Sequence, residues 1–153
     1  MASELGSNYL STPCVVYTTN NIRCCSLGDV FDPDGTGQTG MLICKQGHCA
    51  LFVIDCSNCC TWTWHCTNLT DTTGLAGNGW WFPDRKELEN IYEAFATGVY
   101  TPTCAYTDFG LHWGEECSSS TGFRICLYNR GTITANTKTT TCSPALYRKR
   151  VYY

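Results

Sequence analysis

Charge is scarce in this chain. Of its 153 residues only 10 are Lys or Arg and 13 are Asp or Glu, giving a formal net charge of -3. A broadly basic nucleic-acid surface is therefore excluded, because phosphate binding needs many clustered cations. The one basic cluster, Arg148-Lys149-Arg150, is too short to change that. Long apolar runs are missing too; none approaches the roughly 20 residues of a membrane-crossing helix, so no membrane insertion is expected. Three histidines, His48, His65 and His112, are too scattered to nominate a catalytic triad by spacing. Glu115 and Glu116 are adjacent, so in a strand they face opposite ways and do not form an acid/base pair. Neither an enzyme nor a resident cofactor is expected.

Other features are abundant. At 43% hydrophobic and 13% aromatic residues the chain can bury a core, and its length fits one domain with a short tail. Thirteen cysteines put it in the range of stapled or metal-bound scaffolds. The count is odd, so at least one thiol is free, bound, or paired with another chain. Disulfides belong to oxidising compartments, yet Met1 to Tyr9 shows no basic segment followed by an apolar one, as a secretory signal would. Three origins fit: a mature fragment, a cytosolic protein with reduced or metal-bound thiols, or a particle component released by lysis.

Residues 1–13 are polar, end at Pro13, and read as a flexible or docking arm; residues 14–153 form the domain. Short β-type runs follow at 14–18, 41–44, 49–54, 123–128, 132–134 and 146–153. Phe123, Ile125 and Leu127 fall on one strand face, Arg124, Cys126 and Tyr128 on the other. Asp32-Pro33-Asp34-Gly35 has some look of a calcium loop but lacks the later acidic ligands, so a plain turn is expected. One helix is clear, at about 84–97. Asp84 caps it, Glu87 completes a capping box, and Leu88, Ile91, Tyr92 and Phe95 form a stripe. Trp62 to Asn68 alternates as a strand does. Many short strands with one helix predict an α+β fold with antiparallel sheet.

Two segments carry a resemblance. Gly77-Asn78-Gly79-Trp80-Trp81-Phe82-Pro83-Asp84-Arg85-Lys86-Glu87-Leu88 resembles the Gly-Trp-Arg-Leu-Pro-Thr-x-x-Glu-Leu segment of the collagen-like-protein C-terminal (Lcl) domain family. His112-Trp113-Gly114-Glu115-Glu116-Cys117-Ser118-Ser119-Ser120 resembles that family's Tyr-Trp-Ser-Ser-Thr-Glu-x-Ser-Ser-Ser. Asn129-Arg130-Gly131, Asn136-Thr137-Lys138 and Arg148 follow in the family's order, so the resemblance spans roughly residues 29–153. It implies a C-type-lectin-like fold, as found on bacterial surfaces and in bacteriophages, that displays its C-terminal loops to a partner. The chain departs from the pattern in its dense cysteines and in a first helix that reads as a strand.

The calcium-site tripeptides of sugar-binding lectins, Glu-Pro-Asn or Gln-Pro-Asp with Trp-Asn-Asp, do not occur here. Cys44, Cys49, Cys56 and Cys59, spaced C-x4-C-x6-C-x2-C, offer an alternative zinc set, although the strand at 50–54 would separate the two pairs. Disulfides and reduced buried thiols are the other readings of these cysteines.

Binding is the function the residues favour. Candidate ligand-binding residues are Trp113, Glu115, Ser119, Arg124, Tyr128, Asn129, Thr132, Thr134 and Asn136, a set of aromatic and adaptable hydrogen-bonding groups. The expectation is a receptor-binding module of a phage virion or tail fibre, recognising a host surface glycan or protein. Its arm would dock to other virion proteins in a homo-oligomer, with a trimer as the guess. The alternatives are a structural decoration or fibre protein, a zinc-stabilised module, and a secreted or cell-surface location.

Overall fold

The strand Cys49–Asp55 reads Cys-Ala-Leu-Phe-Val-Ile-Asp without alternation, and both its faces are covered. Ala50 and Phe52 join one core cluster, while Leu51 and Val53 join a second. This strand is the centre of the protein, and the remaining elements are arranged about it. The computed structural model describes residues 19–56, 58–102, 110–139 and 142–153. The arm at 1–13 and the strand expected at 14–18 lie outside them.

In chain order the described elements are β1 (Val30–Phe31), β2 (Gly40–Gln46), β3 (Cys49–Asp55), α1 (Trp62–Asp71), α2 (Arg85–Ala96), β4 (Leu111–Glu116), β5 (Thr121–Cys126), β6 (Thr132–Thr137) and β7 (Leu146–Tyr152). They build a four-stranded sheet ordered β1-β2-β3-β7 and a three-stranded sheet ordered β4-β5-β6, with every strand pair antiparallel. The fold class is α+β, as expected. A parallel bridge between Trp113 and Ala145 joins β4 to the lead-in of β7, linking the sheets.

One face of the larger sheet is sealed by α1 and by the aromatic segment before α2, through Trp62, Leu69, Trp80 and Phe82. The other face is sealed by α2, which places Leu88, Ile91 and Ala94 against Leu51 and Val53 on one side and Ile125 and Leu127 on the other. The helix expected at 84–97 is present as α2, with Asp84 at its N-cap and the reciprocal Asp84–Glu87 capping box formed. The residues 32–37 form a turn closed on itself: Asp32 Oδ1 accepts from the Gly35 amide at 2.9 Å and Oδ2 from the Gly37 amide at 2.7 Å.

The strand-like reading of 62–68 is overturned. Those residues are helical, in α1. Thr61 caps the helix by accepting from the Trp64 amide at 3.2 Å, and Trp62, His65 and Leu69 form its buried stripe. The apparent alternation came from Trp64, which is 40% exposed and so imitated a second inward position. Helical spacing was present at i, i+3 and i+7, carried by a histidine that does not register as hydrophobic.

Candidate functional site

The basic run near the chain's end is not a surface patch. Strand alternation along β7 sends Arg148 and Arg150 towards α2 and Lys149 to the opposite face. Arg148 Nε donates to Glu87 Oε1 at 2.9 Å, and Arg150 Nε donates to Glu87 Oε2 at 2.8 Å. Lys149 pairs with Asp34 on the other side. Each cation thus has a carboxylate partner, and the run serves to fix helix and loop onto the sheet.

The three-stranded sheet has one face against α2, where Phe123, Ile125 and Ile133 pack. Its other face carries Trp113, Arg124, Thr132, Thr134 and Asn136, whereas Tyr128, expected beside Arg124, packs on Phe95 of α2. Trp113 is fully buried, and its Nε1 donates to the Cys60 carbonyl at 3.0 Å. A side chain in that position holds the fold together and presents no ring to a ligand, which corrects the expectation for Trp113. Arg124 is 7% exposed; its guanidinium lies over the Trp113 ring at 5.2 Å and donates to Asn136 Oδ1 and Ser143 Oγ, each at 3.1 Å. Arg124 is therefore a support and not an outward contact.

The remaining candidates stay at or near the surface. Thr132 and Thr134 are exposed on β6, and the Thr134 hydroxyl donates to Asn136 Oδ1 at 2.9 Å. Tyr128 is 52% exposed with its ring edge-on to Phe95 at 5.4 Å, and Asn129 beside it is exposed. Ser119 is exposed, and its carbonyl accepts from Lys138 Nζ at 3.0 Å. Glu115 is half-buried, with Oε1 accepting from the Arg85 amide at the start of α2. Arg124, Thr134 and Asn136 thus form one network, while Glu115, Ser119 and Tyr128 are tied to other parts of the sheet's rim.

At the Gly122 end this face is closed by α1. A Cβ on Gly122 would lie 2.7 Å from Trp62 Cδ1, so only glycine admits the indole there. The Trp62 ring carries Lys138 Nζ at 4.3 Å, and Lys138 is paired with Glu116 at 2.5 Å.

The alternative zinc set does not assemble. Cys44 and Cys49 lie at the β2–β3 hairpin end, lining a cavity of about 140 Å³ with Lys86, Glu87 and Arg150. Cys56 and Cys59 follow the other end of β3, and a rise of ~3.3 Å per residue puts the two pairs on the order of 20 Å apart. Among the described residues no group of three or more His, Cys, Asp or Glu is arranged to hold a metal ion.

The tertiary structure makes a different grouping. The Cys56 amide donates to the Ala145 carbonyl at 2.9 Å, and Cys60 and Ser143 exchange backbone hydrogen bonds at 3.1 and 3.0 Å. This brings Cys59 and Cys60 to Cys142, with Cys56 nearby beside Ala145 and Tyr147. His65 closes the same corner. Its Nε2 meets the Ser143 carbonyl at 2.9 Å, and since a carbonyl only accepts, that nitrogen carries the proton; Nδ1 then accepts from Tyr147 Oη at 3.2 Å. Burial holds the His65 pKa below the ordinary histidine value and pushes the Cys56 thiol up. Sequence spacing could not nominate Cys142, which lies far along the chain from the other three.

No family model matches this chain. No curated protein matches it either.

Proposed function

We propose that the chain is a non-catalytic binding and display module of C-type-lectin-like fold, carried on a phage virion or tail fibre and recognising a glycan or protein on the host surface. The observation that carries the reading is the β6 edge of the β4-β5-β6 sheet, which among the described residues no further strand pairs. There Thr132 and Thr134 face outward, while Arg124, clamped against Trp113 and Ser143, holds Asn136 in place. Short side chains on a strand, pre-set by a buried guanidinium, lose little conformational freedom when a ligand docks. The ordered motifs at 77–88 and 112–120 support the lectin-like part of the reading. In this reading residues 1–13 dock the domain to other virion proteins, as a trimer.

The test uses the labelled full chain on bacterial cells and on a glycan array, with oligomeric state read by light scattering. Thr134→Arg and Tyr128→Ala are expected to weaken attachment at least about tenfold, the equivalent of one hot-spot contact, with unchanged unfolding curves. Wild-type protein that incorporates into particles yet attaches to no cell or glycan overturns the binding role in favour of a structural virion protein.

A further inference from the structure

Cys59, Cys60 and Cys142 meet where the lead-in of α1 runs beside the lead-in of β7, and their directions differ. Cys60 and Ser143 face each other across the bridge, so their side chains share one side of it. Arg124 bonds Ser143 Oγ on that side, and Tyr147 and Cys56 belong to the adjoining core. Side chains alternate along extended chain. The bridge is antiparallel, so Cys59 lies across from Pro144 and Cys142 across from Thr61; the two cysteines are diagonal neighbours, both turned to the other side, towards solvent. Cys142 is exposed and Cys59 half-buried. The two thiols are unbonded, and that of Cys142 lies within hydrogen-bonding reach of Cys59 and also of Cys60.

We propose that Cys59 and Cys142 are a dithiol–disulfide pair, closed by a low-molecular-weight disulfide, that ties the start of α1 to the start of β7. In the first step the Cys59 thiolate attacks one sulfur of the small disulfide. A mixed disulfide forms and one small thiolate leaves, taking up the proton Cys59 released. In the second step the Cys142 thiolate attacks Cys59 Sγ, the protein disulfide forms, and the second small thiol leaves. Two protein thiols are oxidised and one small disulfide is reduced to two thiols. Burial, then contact with Cys59 and the charge of Cys59 and Cys60, push the Cys142 thiol up to about 12. Capping Cys59 as a mixed disulfide removes two of those causes, so the first step readies Cys142 for the second. Cys60 is the competing partner: its side chain starts on the other side of the bridge, although its thiol too lies within reach of Cys142.

The experiment compares the full chain after treatment with dithiothreitol and with oxidised glutathione. Peptide mapping without reduction is expected to show one peptide pair joining Cys59 to Cys142, and alkylation of the oxidised native protein is expected to spare those two residues together. The oxidised form should melt about 5–10 °C higher, since the bond closes a loop of some eighty residues of unfolded chain. Cys59→Ser and Cys142→Ser are expected to lose both the linked peptide and the shift, and Cys117→Ser to keep both. The alkylation pattern reads the wild type alone, so it decides even where a serine variant fails to fold. Linkage of Cys142 to Cys60, no linkage of Cys142 at all, or a zinc ion found on these thiols overturns the proposal.

Discussion

Removing the Glu87 carboxylate is expected to be among the most damaging single changes in the protein. Glu87 Oε1 accepts from the Asp84 amide at 3.0 Å, from Arg148 Nε at 2.9 Å and from Arg150 Nη2 at 2.9 Å, while Oε2 accepts from Arg150 Nε at 2.8 Å. Its side chain is 7% exposed and that of Arg148 13%, whereas Arg150 is 40% exposed. In Glu87→Ala, Arg150 can turn to water, but Arg148 is left as a shielded cation without its partner. Breaking such a pair from one side costs about 3–5 kcal/mol, and loss of half a capping box lies within that range. Glu87→Gln keeps an acceptor for the Asp84 amide and is expected to cost about 2–3 kcal/mol. Asp84→Ala, which loses the cap and a more exposed pair with Arg150, should cost about 1–2 kcal/mol.

The pH dependence gives an independent check. Burial pushes the Glu87 pKa up, but hydrogen bonds from Arg150 and the Asp84 amide and the charge of Arg148 outweigh it, and the net shift is downward. The unfolded chain titrates near an ordinary glutamate value of about 4.3. The contribution is therefore complete above that pH and disappears as pH falls through the lower folded value. Urea unfolding of wild type and Glu87→Gln under reducing conditions, from pH 7 to pH 3, measures both effects. The gap between the two proteins should narrow below about pH 4.5. A gap that stays constant with pH, or a Glu87→Ala loss under about 1 kcal/mol, would refute the reasoning.

Two further substitutions and one further pH dependence are expected to show in unfolding measurements. Trp113→Ala removes a fully buried indole with its bond to Cys60 and the surface under Arg124, and should lose about 3–5 kcal/mol, which urea midpoints will measure. Gly122→Ala forces a Cβ to within 2.7 Å of Trp62, so a loss of about 1–3 kcal/mol is expected in thermal melts. His65 is buried and neutral with its pKa depressed, so it resists protonation that the unfolded chain accepts near pH 6.5. Stability from this site is thus full above about 6.5 and falls as the pH drops towards the folded value; midpoints at pH 7.5, 6.5 and 5.5 will show the slope.

Much of this protein was legible in its sequence. The capping box and apolar stripe of α2 are local, set by residues three and four apart, and they appear as the spacing requires. The same holds for most strands, whose runs of β-branched and aromatic residues need no distant partner to be recognised. α1 was misread because its stripe includes His65, which becomes apolar in behaviour only after Ser143 and Tyr147 satisfy both ring nitrogens. Arg124 was placed on the correct strand face but given the wrong environment. Whether a face is open or covered depends on what packs there, and the covering Trp113 and Ser143 come from elsewhere in the chain.

The sequence by itself determined the class of fold, the boundaries of α2, the turn at 32–37 and the lack of a broad cationic surface, because each follows from composition or from neighbours within one turn or one strand. Only the tertiary structure decided that the basic run of β7 is neutralised by Glu87, Asp84 and Asp34, that Trp113 is core, and that the Cys142 thiol comes beside Cys59 and Cys60. Those facts depend on which strand edges meet. Chain closure over eighty residues is specified by the packing of both sheets together and leaves no periodic signal in the sequence.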